Sequence, residues 1–267
     1  MTAPARRLPA RALFLALLAS LLLWNLPFGG LVLFPFKLFA TWLHESAHGL
    51  IMIVTGVGFD HMEIYRDASG LAFMRGGAGP TAAGFIAAAG YMGAPLLGAL
   101  FLVLGQTRRG ARSILLALAI LLGVSALLFV RNDFGLTAVG IGAGACLAAA
   151  VFAPEWLAIL LVNFVAAQAC INAVLDIRVL FRTNLVVNGI NVGGSDAHNM
   201  AAVTFGTAST WAAIWLGFSL LAFFVALRLV YLRQRAIVGG APAEATVAAS
   251  GSSVRSRQGT TSRWKWL

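Results

Sequence analysis

Residues 31–56 read LVLFPFKLFATWLHESAHGLIMIVTG, an apolar run that is long enough to cross a membrane. A helix needs roughly 20 apolar residues to span the hydrocarbon core of a bilayer. Four ionisable side chains interrupt this run, namely Lys37, His44, Glu45 and His48. Because ionisable groups in lipid are costly in free energy, their presence indicates a functional site.

The composition of the whole chain fits a lipid environment. Of its 267 residues, 60% are hydrophobic and 10% are charged, whereas soluble domains average about 25% charged residues. Mean hydropathy is +0.88. We therefore predict an all-α polytopic membrane protein, a bundle of about six to seven transmembrane helices.

Seven apolar runs are candidate spans, at residues 12–26, 31–56, 81–104, 113–130, 135–152, 157–181 and 210–232. The first follows Arg6, Arg7 and Arg11, as the apolar region of a signal peptide does, but its length favours an uncleaved span. An odd number of crossings cannot place both basic termini on one side of the membrane. One run is then re-entrant, or the termini lie on opposite sides, and the sequence leaves both possibilities open.

A short polar region separates the second run from the third. Residues 60–66 and 71–75 flank the turn sequence Asp67-Ala68-Ser69-Gly70, a pattern that predicts a small β-hairpin after the helix of residues 31–56. The third run is rich in glycine, and small residues allow helix backbones to approach closely in lipid. We expect that helix to pack at the centre of the bundle.

The chain has a net charge of +10, but its basic residues stand at the ends of apolar runs. This distribution is typical of side chains that contact lipid headgroups, and it argues against a nucleic-acid partner. Residues 1–232 are predicted to form one integral membrane domain. Residues 233–267 are predicted to form a basic, disordered tail, because they are polar and lack apolar periodicity.

The sequence His44-Glu45-Ser46-Ala47-His48 has the pattern H-E-x-x-H. On a helix, residues four apart project from one face, so both imidazoles can bind a single Zn²⁺. The intervening Glu45 is placed to act as a general base toward a water molecule that the metal activates. A polar cluster without metal is the alternative, and it leaves three polar side chains in one apolar helix unexplained.

A catalytic zinc site usually has a third protein ligand. Asp176 is the first candidate, because it stands near the end of an apolar run and needs a partner there. An ion pair with Arg178 or Arg182 is the alternative interpretation. Asn172, one helical turn earlier, could hydrogen-bond a ligand or a substrate, or could simply join two helices.

Asp196 and His198 are the second choice for the site. They follow a polar stretch, and residue 196 begins a segment that favours a short helix. The alternative here is a helix N-cap with a solvated histidine. The residues alone do not decide between these two readings.

The chain resembles the site-2-protease class of zinc intramembrane metallopeptidases and, within it, the M50B-like branch. The resemblance covers residues 31–215 and rests on His44-Glu45-Ser46-Ala47-His48, the hairpin and the Gly-rich segment after it, Ala89-Gly90-Tyr91-Met92-Gly93, Leu175-Asp176 and Ser195-Asp196-Ala197. It implies that His44 and His48 are zinc ligands, that Glu45 is the base and that Asp176 is the third ligand.

The sequence thus predicts a peptidase that hydrolyses peptide bonds of membrane-embedded protein substrates, in a multi-pass protein of the bacterial plasma membrane. Its hairpin could offer a strand edge to an extended substrate. The main alternative is a non-catalytic metal-binding membrane protein with a transport or scaffold role. A lipid-binding regulatory protein would explain the basic tail but not the H-E-x-x-H pattern. Nothing in the sequence indicates an oligomeric state.

Overall fold

The computed structural model describes residues 10–175, 185–187 and 190–239. This part of the chain contains eight helices and two small sheets. Their order is α1 (Ala10–Asn25), α2 (Gly29–Val54), β1 (Phe59–Ile64), β2 (Gly70–Met74), α3 (Pro80–Leu104), α4 (Arg108–Leu128), α5 (Asp133–Phe152), α6 (Glu155–Leu175), β3 (Leu185–Val187), β4 (Ile190–Gly193), α7 (Asp196–Val203) and α8 (Ala208–Gly239). The predicted helical membrane architecture and the hairpin after α2 are confirmed.

Five of the described helices are long and apolar enough to cross a membrane: α3, α4, α5, α6 and α8. Residues Leu18–Asn25 of α1 and Gly29–Val54 of α2 pass the same test together, but they are inclined at 118° across the short break between them. The two runs predicted as separate spans therefore form one bent pair. Counting that pair as a single span gives six spans among the described residues.

Some helix ends differ from the sequence prediction. Helix α4 begins at Arg108, before the predicted residue 113, because Thr107 caps it with a hydroxyl that accepts a hydrogen bond from Gly110 N at 3.1 Å. Helix α8 continues to Gly239, beyond the predicted residue 232. The remaining residues of the predicted tail, from 240 onward, lie outside the described part of the chain.

The hairpin is an antiparallel pair in which Met62 opposes Ala72 and Ile64 opposes Gly70. Its turn is stabilised locally, because Asp67 Oδ1 accepts hydrogen bonds from the backbone N–H and the hydroxyl of Ser69. These two donors lower the pKa of the exposed Asp67 carboxyl. A second pairing, of β3 with β4, was not predicted from the sequence.

Helix α3 lies at the centre of the bundle, as its glycines predicted, and packs against α2, α6 and α7. The largest apolar cluster fills the space between α2, the hairpin, α4, α5 and α6. Within it, the buried indole of Trp42 donates a hydrogen bond to Ser125 Oγ at 2.8 Å. This core fixes α2, and with it the H-E-x-x-H sequence, against the rest of the molecule.

Candidate metal centre and active site

The two histidines of the H-E-x-x-H sequence face one another on α2. Their ring centroids are 4.6 Å apart, and the Nε2 atoms of His44 and His48 are separated by 3.0 Å. Helical geometry places residues i and i+4 on one face, so this proximity follows directly from the sequence spacing. His48 is buried and His44 is half-buried.

Asp196 brings a carboxylate to the same point from a distant part of the chain. Its Oδ2 atom lies 3.3 Å from the Nε2 atom of each histidine. Asp196 is the first residue of α7, and that helix begins with backbone hydrogen bonds from His198 and Asn199 to Ser195 O. The first turn of this short helix therefore fixes the backbone of Asp196, and the Asp196 side chain projects from it toward α2.

The three atoms fit a divalent metal ion. Tetrahedral ligands at 2.0–2.1 Å from zinc are separated from one another by roughly 3.3 Å, and the three distances here are 3.0, 3.3 and 3.3 Å. Burial disfavours the ionised form of Asp196, but the imidazoles of His48 and His44 outweigh it and hold the pKa of the carboxyl below its usual range. Among the described residues, this is the group of histidine and carboxylate side chains that could hold a metal.

The orientation of His48 is set by a hydrogen bond on its other nitrogen. His48 Nδ1 lies 2.6 Å from Ile86 O, and a carbonyl oxygen can only accept, so Nδ1 carries the proton. In the neutral ring, Nε2 then presents its lone pair toward His44 and Asp196. Metal-binding histidines are commonly oriented by such a bond to a backbone carbonyl.

His44 is held by packing against α3. The ring of Tyr91 meets it edge-on with centroids 4.8 Å apart, and Tyr91 is itself stacked on Trp215 of α8 at 5.4 Å. Gly90 lies directly against the imidazole, where a Cβ atom would collide with three ring atoms of His44. The absence of a side chain at Gly90 therefore allows the ring of His44 to reach the other two candidate ligand atoms.

Glu45 is buried beside the three converging atoms, with 7% of its surface exposed. The hairpin covers it: a Cβ atom at Gly70 would lie 2.9 Å from Glu45 Cγ and 2.7 Å from Thr41 Cγ2. The Thr41 hydroxyl donates to Ala68 O at 2.6 Å. These contacts place the turn of the hairpin against the face of α2 that carries Glu45.

One edge of β2 faces Glu45. Met62 uses its N–H and C=O to bond Phe129 and Arg131, away from β2, so Met62 and Ala72 form a non-hydrogen-bonded pair. The backbone groups of Ala72 therefore point outward from the hairpin, with its N–H on the side of the Glu45 carboxylate. By the same alternation, the backbone groups of Gly70 also point outward.

A cavity of about 470 Å³ surrounds the site and is lined by α2, the hairpin turn and β2, α3, α6, and residues near α7. Asn172 of α6 lines this cavity, is 4% exposed, and has an Nδ2 atom without a hydrogen-bond partner among the described residues. The lining residues that the structure describes include the carboxylates Glu45, Asp67 and Asp196 but no lysine or arginine. The cavity is thus rich in groups that bind cations or polar peptide atoms.

The predicted site residues have different outcomes. The structure brings together His44, Glu45, His48 and Asp196, and it places Asn172 in the cavity wall. Asp176, the first candidate for the third ligand, lies outside the described residues. His198 does not line the cavity; its Nδ1 atom lies 2.9 Å from Ser195 Oγ.

Sequence reasoning did not place Thr41, Gly70 or Tyr91 at the site; it used Gly70 only in the hairpin turn and Tyr91 only in the family resemblance. The glycine next to Tyr91 in the third apolar run was the available signal, since glycine in a membrane helix marks a close approach. For Thr41, the position one turn before Glu45 on the same helix face was the corresponding signal.

Comparison with known proteins agrees with this geometry. The family model described as Peptidase M50B-like matches residues 13–226, which include every residue of the candidate site. No curated protein and no solved structure matches the chain.

Proposed function

The chain belongs to the M50B-like family of metallopeptidases, and from that premise we propose that it is a zinc peptidase that cleaves membrane-protein substrates within or near the bilayer. The observation that carries the proposal is the convergence of His44 Nε2, His48 Nε2 and Asp196 Oδ2 at 3.0–3.3 Å beside a buried glutamate. Its five or six membrane-spanning helices make it a multi-pass membrane protein. We further propose that this membrane is a bacterial plasma membrane.

Zinc is the metal that the donor set favours. Two imidazole nitrogens and one carboxylate oxygen are a common catalytic zinc set that leaves a fourth position open. We propose that His44, His48 and Asp196 hold the ion, with Asp196 as the third ligand. A zinc ion bound there supplies Lewis-acid polarisation of the scissile carbonyl and acidifies a water molecule.

Glu45 is the proposed general base. Its carboxylate takes a proton from water as the water oxygen attacks the carbonyl carbon of the scissile peptide bond. The carbon–nitrogen bond then breaks, and the leaving nitrogen receives the proton from Glu45. Burial of Glu45 between α2 and the hairpin excludes bulk water from this transfer.

The substrate is proposed to bind as an extended strand. The outward backbone groups of Gly70 and Ala72 lie at the cavity, where a peptide can pair with the edge of β2. Asn172 Nδ2, which has no described partner, is placed to donate a hydrogen bond to a substrate carbonyl. A substrate helix must unwind locally to make these contacts.

The first test is Glu45→Gln, assayed on a single-pass membrane protein in proteoliposomes. We expect bound zinc to stay near the wild-type amount while cleavage falls by about 10² to 10⁴-fold, the usual contribution of general acid–base catalysis. Glu63→Gln is the matched control, since Glu63 lies on the hairpin outside the cavity lining. Unchanged cleavage in Glu45→Gln would refute Glu45 as the general base, whereas a wild-type protein that binds zinc but cleaves no substrate would support a metal-binding protein without turnover.

The second test identifies the ligands through metal content, measured by elemental analysis of purified protein. His44→Ala, His48→Ala and Asp196→Ala should each lose most of the zinc, whereas His61→Ala, a histidine on the hairpin outside the cavity lining, should keep it. Asp176→Ala should also keep it. Zinc lost in Asp176→Ala and retained in Asp196→Ala would refute Asp196 as the third ligand.

A further inference from the structure

The edge of the hairpin that faces away from Glu45 is not free. The loop between α4 and α5 runs beside β1, where Val130 forms an isolated parallel bridge with Met62. Met62 N donates to Phe129 O at 2.9 Å, and Arg131 N donates to Met62 O at 3.2 Å. The rings of Phe59 and Phe129 stack with centroids 4.6 Å apart. The hairpin is therefore attached to the bundle on both sides.

Asn132 continues this attachment with its side chain. Asn132 Oδ1 accepts from Ile64 N at 3.1 Å, and Asn132 Nδ2 donates to Ile64 O at 2.6 Å. Both backbone groups of Ile64 that point away from β2 are satisfied by this one amide. Ile64 opposes Gly70 in the hairpin, and Gly70 packs directly on Glu45 and Thr41.

The side-chain amide of Asn132 bonds the hairpin and does not bond the first turn of α5, the helix that it precedes. Asn132 is the N-cap residue of α5, a position where asparagine normally bonds the first turn, and its side chain makes no such bond here. An N-cap bond is a usual contribution to helix stability. The side chain instead bonds Ile64, and Gly135 leaves space for it there, since a Cβ atom at Gly135 would collide with Asn132 Oδ1 and lie 3.2 Å from Ile64 N.

We propose that Asn132 is a positioning residue that sets the register of the substrate strand on the edge of β2. This inference rests on the proposed function, because it assumes that β2 pairs with substrate. A hairpin clamped through Ile64 holds Gly70 and Ala72 at fixed places beside Glu45. Since the side-chain period of a strand is two residues, a shift of this edge presents a different peptide bond to the base.

The test compares two pairs of variants on α5. Asn132→Ala removes the clamp, and Gly135→Ala displaces the Asn132 amide while retaining it. Their controls are Thr137→Ala, whose hydroxyl donates to Asp133 O, and Gly140→Ala, which has open space around it among the described residues. Each full-length variant is loaded with zinc, and cleavage positions in a membrane-protein substrate are mapped by mass spectrometry alongside kcat and KM.

We expect both clamp variants to produce additional cleavage positions and about a tenfold higher KM, with zinc content and kcat near wild type. A merely structural role would lower the amount of active protein but would leave the cleavage position unchanged. Wild-type cleavage positions and KM in both clamp variants would overturn the proposal.

Hydrogen exchange of residues 59–74 separates this inference from the peptidase proposal, because it needs no turnover. Faster exchange in Asn132→Ala and Gly135→Ala, but not in the two controls, is the expected result. Unchanged exchange would overturn the positioning role even if the protein is a peptidase. A wild-type protein that binds zinc but cleaves nothing would overturn the peptidase proposal, and the exchange result would still decide whether Asn132 holds the hairpin.

Discussion

Helices α3 and α5 have the same mean hydropathy, 1.9, but they differ in burial. The structure buries 56% of the apolar stretch of α3 and only 17% of the apolar stretch of α5. Each helix contains four glycines. In α3, Gly90 lies against His44, Gly93 against Ala47 and Gly98 against α6. In α5, by contrast, Gly140 and Gly144 have open space around them. In this protein, the glycine-rich helix at the centre of the bundle is therefore the one whose glycines allow neighbouring helices and side chains to approach closely.

Within α3, the glycines make room for two different kinds of neighbour. At Gly98, the missing side chain lets the backbone of α6 approach. At Gly90, it lets a functional side chain occupy the space that a Cβ atom would take. Substitutions that add one methyl group should therefore have effects that differ in both size and kind.

The largest effect is expected for Gly90→Ala. The added methyl group collides with the His44 ring, which must turn away from His48 and Asp196. We expect loss of most bound zinc and a decrease in cleavage of about 100-fold, comparable with the loss of a residue that orients a metal ligand. Elemental analysis and cleavage assays measure both. Gly140→Ala is the control, and wild-type zinc content in Gly90→Ala would refute the packing argument for His44.

A smaller effect on the same ligand is expected for Trp215→Ala. Trp215 is 1% exposed and stacks on Tyr91, and both pack with Ala197, the neighbour of Asp196. Loss of the indole should loosen His44 and α7 together and weaken zinc binding by about tenfold, measured by competition with a chelator.

Two further variants complete the Trp215 experiment. Trp215→Phe keeps an aromatic ring on Tyr91 and should bind zinc nearly as well as wild type. Trp156→Ala removes an indole that is 57% exposed and should leave affinity unchanged. Equal affinity in Trp215→Ala and wild type would show that α8 does not support the metal centre.

A change in stability without a change in zinc content is expected for Gly98→Ala. A Cβ atom there would lie 2.9 Å from both Ala166 O and Cys170 Sγ, so α3 and α6 must separate slightly. The free energy of unfolding should fall by about 1–3 kcal/mol, the usual cost of overpacking, as measured by denaturation in mixed micelles. Gly144→Ala on α5 is the matched control. An unaltered unfolding free energy in Gly98→Ala would mean that the two helices adjust without strain.

The smallest effect is expected for Gly84→Ala, although Gly84 is buried on the central helix. Its nearest neighbour would be Met200 Sδ at 3.5 Å, an ordinary van der Waals distance. The free energy of unfolding should change by less than about 0.5 kcal/mol in the same denaturation assay. A loss as large as that of Gly98→Ala would show that position on the central helix, rather than contact at the glycine, determines the cost.

The sequence predicted the hairpin because its signals are local. Alternation of side chains and the turn at Asp67 and Ser69 depend on residues within a few positions of one another. The attachment of β1 to the loop between α4 and α5 was not predicted, because the bonds of Asn132 to Ile64 join residues 68 positions apart. The bend of 118° between α1 and α2 was likewise missed, since the break at residues 26–28 indicates an interruption but not an angle.

For the candidate metal centre, the sequence alone placed His44 and His48 together beside Glu45, because one helical turn brings residues four apart onto one face whatever the rest of the fold does. Only the tertiary structure shows which carboxylate among the described residues meets them, namely that of Asp196. Asp196 is 152 residues from His44, and it reaches the imidazoles through the packing of α3 against α2 and α7. Spacing along the chain carries no information about such a contact, since it is set by which side chains leave room for the helices to approach.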